Sequence, residues 1–293
     1  MGRRINFYRE INSHMNTISS NKRVTALIAV SLGLIFGGSQ AMALTIAYGN
    51  NAGGAGIYKI DLDTGNVLQT FANPSGGNGR GVVVVGNTIY STVVGDNHIY
   101  ETDATTGLSL GSIATDQASL STIGWDGSSF WTTDYNGSNK GFQISLAGVT
   151  TKTLTFSQSS DYMDGMEYFN GKLIVNNHDG GEGGPNAYSI YDLNGNLIQA
   201  NFISAPNGTG IAFDGTNFLV SDVFGGGVNV YDGITGAFIK KITVNTNSWL
   251  VEDLSVDYSQ RADTGGNVPD SSSTLGLLGC AMVALAIVRR RIV

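Results

Sequence analysis

The sequence predicts an all-β fold, most simply a β-propeller of five four-stranded blades, and three observations point to it. Gly is abundant (41 residues) and Pro is rare (4), and helical periodicity is absent between Leu44 and Asp263. Short runs of β-branched and aromatic residues alternate with clusters of Gly, Asn and Asp, as strands alternate with turns. A pair of short phrases also recurs along the chain at a nearly constant interval.

The first phrase is an apolar or β-branched residue, Asp, a short turn and Gly. It occurs at Ile60–Gly65, Thr102–Gly107, Tyr191–Gly195 and Tyr231–Gly236, with a weaker copy, carrying Ser in place of Asp, at Ile144–Gly148. The final glycines are 42, 41, 47 and 41 residues apart. Because Asp accepts backbone N–H bonds in turns and Gly adopts positive φ, each phrase is predicted to be a hairpin tip.

The second phrase is a pair of apolar strands joined by a Gly-containing turn. Its copies are Val82–Tyr90, Ile123–Trp131, Met166–Val175 and Ile211–Val220, and a fifth strand, Leu254–Tyr258, has no strand after it. The strand Thr45–Asn51 matches the missing partner in kind, so we expect the N-terminal strand to complete the last blade and close the ring. Units of about 42 residues hold four short strands, the size of a propeller blade. A β-sandwich does not explain the period, whereas a sixth blade requires the 47-residue interval to contain another unit.

The N-terminus is typical of a secretory signal. Basic residues between Arg3 and Arg23 precede an apolar run, Val24–Phe36, and Ala41-Met42-Ala43 places small residues where a signal peptidase cuts. Cleavage is expected after Ala43, from a start at either Met1 or Met15. The run is too short for a membrane-spanning helix, which needs roughly 20 residues.

The C-terminus carries a second apolar segment, Leu275–Val288, followed at once by Arg289, Arg290 and Arg291. Basic clusters next to an apolar segment stay on the cytoplasmic side, so the preceding domain is predicted to be outside. The segment spans a bilayer only marginally.

The tail resembles the PEP-CTERM sorting signal, in its variant that begins Val-Pro-Asp-Ser-Gly. Val268-Pro269-Asp270-Ser271, an apolar run and three arginines occur in the order of that signal, although Ser272 stands where the variant has Gly. The resemblance implies recognition by an exosortase-type membrane peptidase. It also implies a bacterium that makes extracellular polysaccharide. The protein would first be tethered to the inner membrane and then reach the cell envelope, the outer surface or the medium.

These signals divide the chain into a leader (1–43), a propeller domain (44–261), a linker with the sorting motif (262–270) and a sorting helix with its basic end (271–293). The chain has 16 basic residues (Lys and Arg) and 23 acidic residues (Asp and Glu). Of these, residues 1–43 hold five basic and one acidic, and residues 269–293 hold three basic and one acidic. The remaining part therefore has 8 basic and 21 acidic residues, a net charge of −13. Such a surface repels phosphate backbones, which excludes nucleic acid as a partner.

The fourth unit resembles the repeat of NHL/YncE-like propellers. The residues that carry the likeness are Pro206–Gly215, Phe218–Asp222 and Val228–Asp232. The resemblance implies the fold more than any activity.

Polar residues immediately before the innermost strand of each blade are the first candidates for a ligand site. They are Asn78 and Arg80, Ser119 and Ser121, Asp161 and Asp164, Asn207 and Thr209, and Glu252 and Asp253. This mixture of Arg, carboxylates, amides and hydroxyls at a channel mouth suits a sugar or a cation; of its members, Arg80, Asp164, Asn207, Glu252 and Asp253 are the preferred candidates.

The loop Asn176–Gly184 combines oxygen ligands with flexible glycines. Asp179 and Glu182 could contribute to a Ca²⁺ site, although the spacing is not that of an EF-hand, and a solvated insertion is the simpler interpretation. No other cofactor is indicated. His98 and His178 fall in equivalent loops about two blades apart, so they need not meet.

The sequence favours a binding protein over an enzyme. We expect an exported propeller that binds or scaffolds matrix polysaccharide. Glu252, Asp164 and Asn207 leave open a metal-dependent lactonase similar to gluconolactonase-type propellers, and a purely structural surface module is the third alternative.

Overall fold

A computed structural model describes residues 45–54, 56–159, 162–177 and 185–264, which fall within one compact unit, 41–274. The strands in chain order are β1 (Ile46–Asn51), β2 (Gly56–Asp61), β3 (Val67–Phe71), β4 (Gly79–Val85), β5 (Thr88–Val93), β6 (His98–Asp103), β7 (Ser109–Ala114), β8 (Leu120–Trp125), β9 (Phe130–Asp134), β10 (Lys140–Ile144), β11 (Thr150–Thr155), β12 (Met166–Phe169), β13 (Lys172–Asn176), β14 (Pro185–Asp192), β15 (Leu197–Pro206), β16 (Gly208–Phe213), β17 (Asn217–Asp222), β18 (Gly227–Asp232), β19 (Phe238–Thr243) and β20 (Val251–Ser255). Two short 3₁₀ helices follow, Tyr258–Gln260 and Ala262–Thr264.

The strands form five antiparallel four-stranded sheets, which confirms the predicted five-bladed propeller. Blade I is β20-β1-β2-β3, and blades II to V are β4–β7, β8–β11, β12–β15 and β16–β19. The first strand of each sheet contacts the first strands of both neighbouring sheets, so β20, β4, β8, β12 and β16 form the inner ring. Blade I closes the circle as predicted, because β1 pairs with β20 and places Gly49 opposite Leu254.

The apolar core is divided into five clusters, one at each boundary between blades. For example, Tyr48 and Phe71 of blade I pack with Val82 and Ile89 of blade II. The boundary between blades V and I is filled in the same way by residues from both ends of the domain. Burial at this last boundary holds the ring closed, since it joins the first strands to the last.

The predicted hairpin tips have the expected turn geometry. Asp61, Asp103, Asp192 and Asp232 each accept backbone N–H bonds from residues that follow in the turn. The final glycines of all five phrases, including the weaker copy Ile144–Gly148, have φ between 69° and 83°. These hydrogen bonds to the carboxylates hold the pKa of each of the four aspartates below its usual value.

A ring of side-chain hydrogen bonds joins the blades near the axis. In each blade one polar residue of the second strand donates to a backbone carbonyl at or just before the next blade's inner strand. The five bonds are Asn50 to Gly81 (2.8 Å), Thr92 to Ser121 (2.5 Å), Thr133 to Met163 (2.9 Å), Asn176 to Gly208 (3.2 Å) and Ser221 to Val251 (2.7 Å). We call these donors the belt. All five are fully buried.

Several predicted features lie outside the described residues: the leader, the sorting segment with its tail, Asp161, His178, and the loop residues Asp179 and Glu182. Within the described part of the chain, no helix has the length and apolarity needed to cross a membrane.

Candidate functional site

The strand register places one residue from each blade at an equivalent position near the start of its inner strand. β4, β8 and β16 are each paired irregularly there, between Gly79 and Val82, Leu120 and Ile123, and Gly208 and Ile211. β20 shifts register against β1 at the matching place, and Gly165 precedes Met166 in β12. The five equivalent residues, here called the mouth ring, are Arg80, Ser121, Asp164, Thr209 and Glu252. Each is 5% exposed or less.

Arg80 connects three blades at this end of the channel, which we call the mouth. Its Nη1 lies 3.0 Å from Oε2 of Glu252 in blade I. Its guanidinium carbon lies 4.3 Å from the ring centroid of Tyr135 in blade III, a cation–π distance. Tyr135 in turn packs against Tyr162, with 5.2 Å between ring centroids. Glu252, Arg80, Tyr135 and Tyr162 therefore form a continuous mouth ladder that leads from a buried ion pair to an exposed ring.

Tyr162 is 42% exposed, and two other large apolar side chains are exposed in loops at the same end of the blades: Leu250 (38%), before β20, and Phe224 (56%), after β17. Leu250 directly precedes β20, and its neighbour Trp249 donates from Nε1 to the carbonyl of Asp222, at the base of the Phe224 loop (3.0 Å). The mouth therefore combines exposed apolar rings with buried charged and hydroxyl groups. Such a combination of apolar surface and convergent polar groups is common in ligand sites.

Asp253 lies one residue further along β20 and links three blades. Its Oδ2 accepts hydrogen bonds from the amide of Val82 (3.1 Å), the hydroxyl of Thr122 (2.9 Å) and the amide of Ile123 (3.3 Å). A Cβ atom on Gly210 would lie only 2.1 Å from the Asp253 Cα, so the inner strands approach closely here. Burial raises the pKa of Asp253 well above its usual value. Asp253 thus has a position and partners suited to holding the inner strands together.

The other end of the channel is occupied by the residues that follow β20. Arg261 Nη1 lies 2.6 Å from Oε1 of Glu167 in β12, and its Nη2 lies 2.7 Å from Oδ2 of Asp263. Tyr258 donates its hydroxyl to Glu167 at 2.6 Å. We call these four residues the far-end cluster. Burial raises the pKa of Glu167 to about 7, because lost hydration outweighs the attraction of Arg261.

The remaining sequence candidates are dispersed. Asn207 lies two residues before the mouth ring, at φ 59°, and uses its carbonyl to accept the Val223 amide at 3.1 Å. His98 pairs with Asp96, Nδ1 to Oδ1, at 2.7 Å, on the side of β6. Glu252, which sequence analysis grouped with Asp164 and Asn207 as a possible metal site, is paired with Arg80. That metal site stays a prediction. Across the described residues, no three His, Cys, Asp or Glu side chains are grouped as a metal site would require.

Sequence reasoning missed the belt and the far-end cluster. The belt has a sequence signal, since the second strand of every blade carries a polar residue at the same repeat position: Asn50, Thr92, Thr133, Asn176 and Ser221. The pairing of Glu167 with Arg261 has no comparable signal, because 94 residues separate them and Arg261 lies outside the repeated phrases.

Comparison with known proteins identifies the tail and the architecture. Residues 267–292 match the model of the VPDSG-CTERM motif, which confirms the sorting signal predicted at the C-terminus. No curated protein matches the chain. Among solved structures, a nidogen/laminin complex contains a similar chain, with a TM-score of 0.50 and 12% identity over 72% of this chain and 97% of that one. The computationally designed protein Ika4 has a TM-score of 0.36 and 14% identity over 53% of this chain and 90% of its own. At these identities the likeness to the nidogen/laminin chain concerns the fold alone.

Proposed function

We propose that this protein is an exported propeller that binds polysaccharide of the extracellular matrix at its mouth. The sorting motif at 267–292 indicates export. We further propose that the leader is removed after Ala43 and that an exosortase-type peptidase processes the tail at the membrane. The observation that carries the binding proposal is the mouth ladder, which ends in the exposed ring of Tyr162.

Sugar rings present an apolar face and a rim of hydroxyl groups. An exposed tyrosine ring packs against such a face, and its neighbours in the mouth ring can exchange hydrogen bonds with the hydroxyls. Tyr162, Leu250 and Phe224 belong to blades IV, I and V, which are consecutive around the ring. A site extending over three blades suits a chain of several sugars better than a single small molecule.

The backbone of Tyr162 supports a role for its side chain. Tyr162 has φ 61°, and the equivalent residues Ser119 and Asn207 also have positive φ. Gly and Asn take this conformation readily, whereas other residues pay roughly 1 kcal/mol for it. A tyrosine at this position is therefore better explained by what its ring contacts than by the local turn.

The test uses the full-length protein on a glycan array and in pull-down of native matrix. Tyr162→Ala should weaken retention by the matrix at least about tenfold, as expected for loss of an aromatic anchor. Phe238→Ala is the matched control, because Phe238 is 57% exposed but lies on the outermost strand of blade V. Absence of any glycan or matrix binding by the unaltered protein would overturn the proposal and favour a purely structural module.

A further inference from the structure

We infer that Asn136 is a site of N-linked glycosylation in the exported protein. Asparagine accepts a glycan within the sequence Asn-x-Ser/Thr, where x is any residue except Pro, when it lies in a surface loop of an exported protein. The inference goes beyond matrix binding and depends only on export, which the sorting motif at 267–292 indicates.

Among the described residues, three asparagines have Ser or Thr two positions later, and they differ in their surroundings. Asn73 is followed by Pro74, which excludes it as an acceptor. Asn136-Gly137-Ser138 lies in the loop between β9 and β10, whereas Asn207-Gly208-Thr209 leads into β16. These last two sequences are nearly identical, so only the fold around them can make one an acceptor and not the other.

Asn136 is exposed in a short loop that is closed at its base. The Oγ of Ser138 lies 2.9 Å from both carboxylate oxygens of Asp134, so its hydroxyl donates across the base of the loop. Gly137 adopts φ 74°, which bends the chain directly after Asn136. The Asn136 Nδ2 donates to the carbonyl of Ala118 at 3.4 Å, which is long for a hydrogen bond. The nitrogen that would carry the glycan is therefore accessible and only weakly held.

Asn207 lacks these properties because its sequence is built into the inner ring of strands. Thr209 is 1% exposed and donates its hydroxyl to the Val251 carbonyl of blade I at 3.1 Å. The Gly208 carbonyl accepts a hydrogen bond from the belt residue Asn176 at 3.2 Å. A transferase could bind this segment only after β16 had left the ring, which would separate blade V from both of its neighbours.

The modification is a substitution at the first carbon of the donor sugar. The Nδ2 atom of Asn136 forms a bond to C1 of a saccharide that is carried on a polyprenyl diphosphate. The bond between C1 and the diphosphate oxygen breaks, and the lipid diphosphate leaves with the electron pair. One proton of the amide passes to a base of the transferase. The acceptor supplies an accessible amide nitrogen in a loop that the enzyme can bind, and Asn136 meets both requirements.

The test measures the masses of tryptic peptides from the full-length protein after its export by the cells that produce it. Lys140, Lys152 and Lys172 lie between the two sequences, so trypsin places Asn136 and Asn207 in different peptides. Glycan occupancy should be at least about tenfold higher at Asn136 than at Asn207, because modification of Asn207 first requires opening of a core strand.

Four variants identify the acceptor sequence. Asn136→Gln should abolish the modification, and Ser138→Ala should abolish it while the asparagine remains. Ser138→Thr should retain it, because threonine supplies the same hydroxyl group. Asn207→Gln is the matched control and should leave the glycan unchanged.

An unmodified Asn136 in the exported protein would overturn the inference, and so would equal occupancy at Asn207. Glycan that persists on Asn136 in the Ser138→Ala variant would overturn it as well, since the hydroxyl would then play no part in recognition. None of these outcomes depends on whether the protein binds matrix polysaccharide.

Discussion

The belt predicts a graded loss of stability when its threonines lose their hydroxyl groups. Thr133 donates one buried bond, to the carbonyl of Met163 at 2.9 Å. Thr92 makes two, because its Oγ1 donates to the Ser121 carbonyl at 2.5 Å and accepts the Gly81 amide at 2.7 Å. Valine has nearly the same shape as threonine but cannot replace these bonds.

The magnitude follows from the number of buried backbone groups that lose a partner. Leaving one such group unsatisfied costs about 1–3 kcal/mol. Thr133→Val should therefore lower the free energy of unfolding by about 1–3 kcal/mol, and Thr92→Val by roughly twice as much. Thr92→Val would remove a large share of the total, because domains are typically stable by only about 5–15 kcal/mol.

The assay is urea unfolding of the full chain, followed by the fluorescence of Trp125, Trp131 and Trp249, all of which are buried. Thr151→Val is the matched control, since Thr151 is exposed on β11 and its substitution should change stability by less than about 0.5 kcal/mol. If Thr92→Val were as stable as the unaltered protein, or if Thr151→Val cost as much, the belt would not join the blades as described.

Three further predictions concern the far-end cluster and the hairpin tips. Burial raises the pKa of Glu167 to about 7, so the folded chain retains a proton that the unfolded chain releases near pH 4.5. The contribution of Glu167 to folding stability should therefore fall as the pH rises from 4.5 to about 7. Glu167→Gln should flatten that dependence in melting curves measured from about pH 4 to about pH 8. Arg261→Ala should lower the free energy of unfolding by about 3–5 kcal/mol in urea, because two carboxylates lose their buried partner. Lys140→Ala, at an exposed position, should lower it little, and similar losses for both variants would contradict the ion-pair geometry. At the hairpin tips the pH dependence has the opposite sign. The pKa of Asp232 is lowered, so its contribution to folding stability is present above pH 3.8 and is lost as the pH falls further. Asp232→Asn should therefore reduce the acid sensitivity of the fold measured by circular dichroism, and an unchanged acid midpoint would show that this turn does not contribute.

Much of the fold could be predicted from the sequence because each blade is specified locally. The recurring Asp and Gly residues fix hairpin tips within a few residues, and alternating apolar runs fix the strands between them. Closure by the N-terminal strand was also predictable, since Leu254–Tyr258 lacks a following strand and Thr45–Asn51 supplies one. The candidate site was predictable only as a set of positions: counting residues before each inner strand finds Arg80, Asp164 and Glu252 but not their partners.

The sequence by itself determined the period, the sorting motif and the acidic charge of the domain, and it limited the number of blades to five or six, of which the structure has five. These properties depend on residues close together in the chain or on composition. The tertiary structure decided that Arg80 joins Glu252 to Tyr135, that the belt binds each blade to the next, and that Arg261 reaches Glu167. Each of these contacts joins residues from different repeats or from the segment after the last one. Their pairing depends on how the blades are rotated and packed around the axis, which no local sequence pattern records.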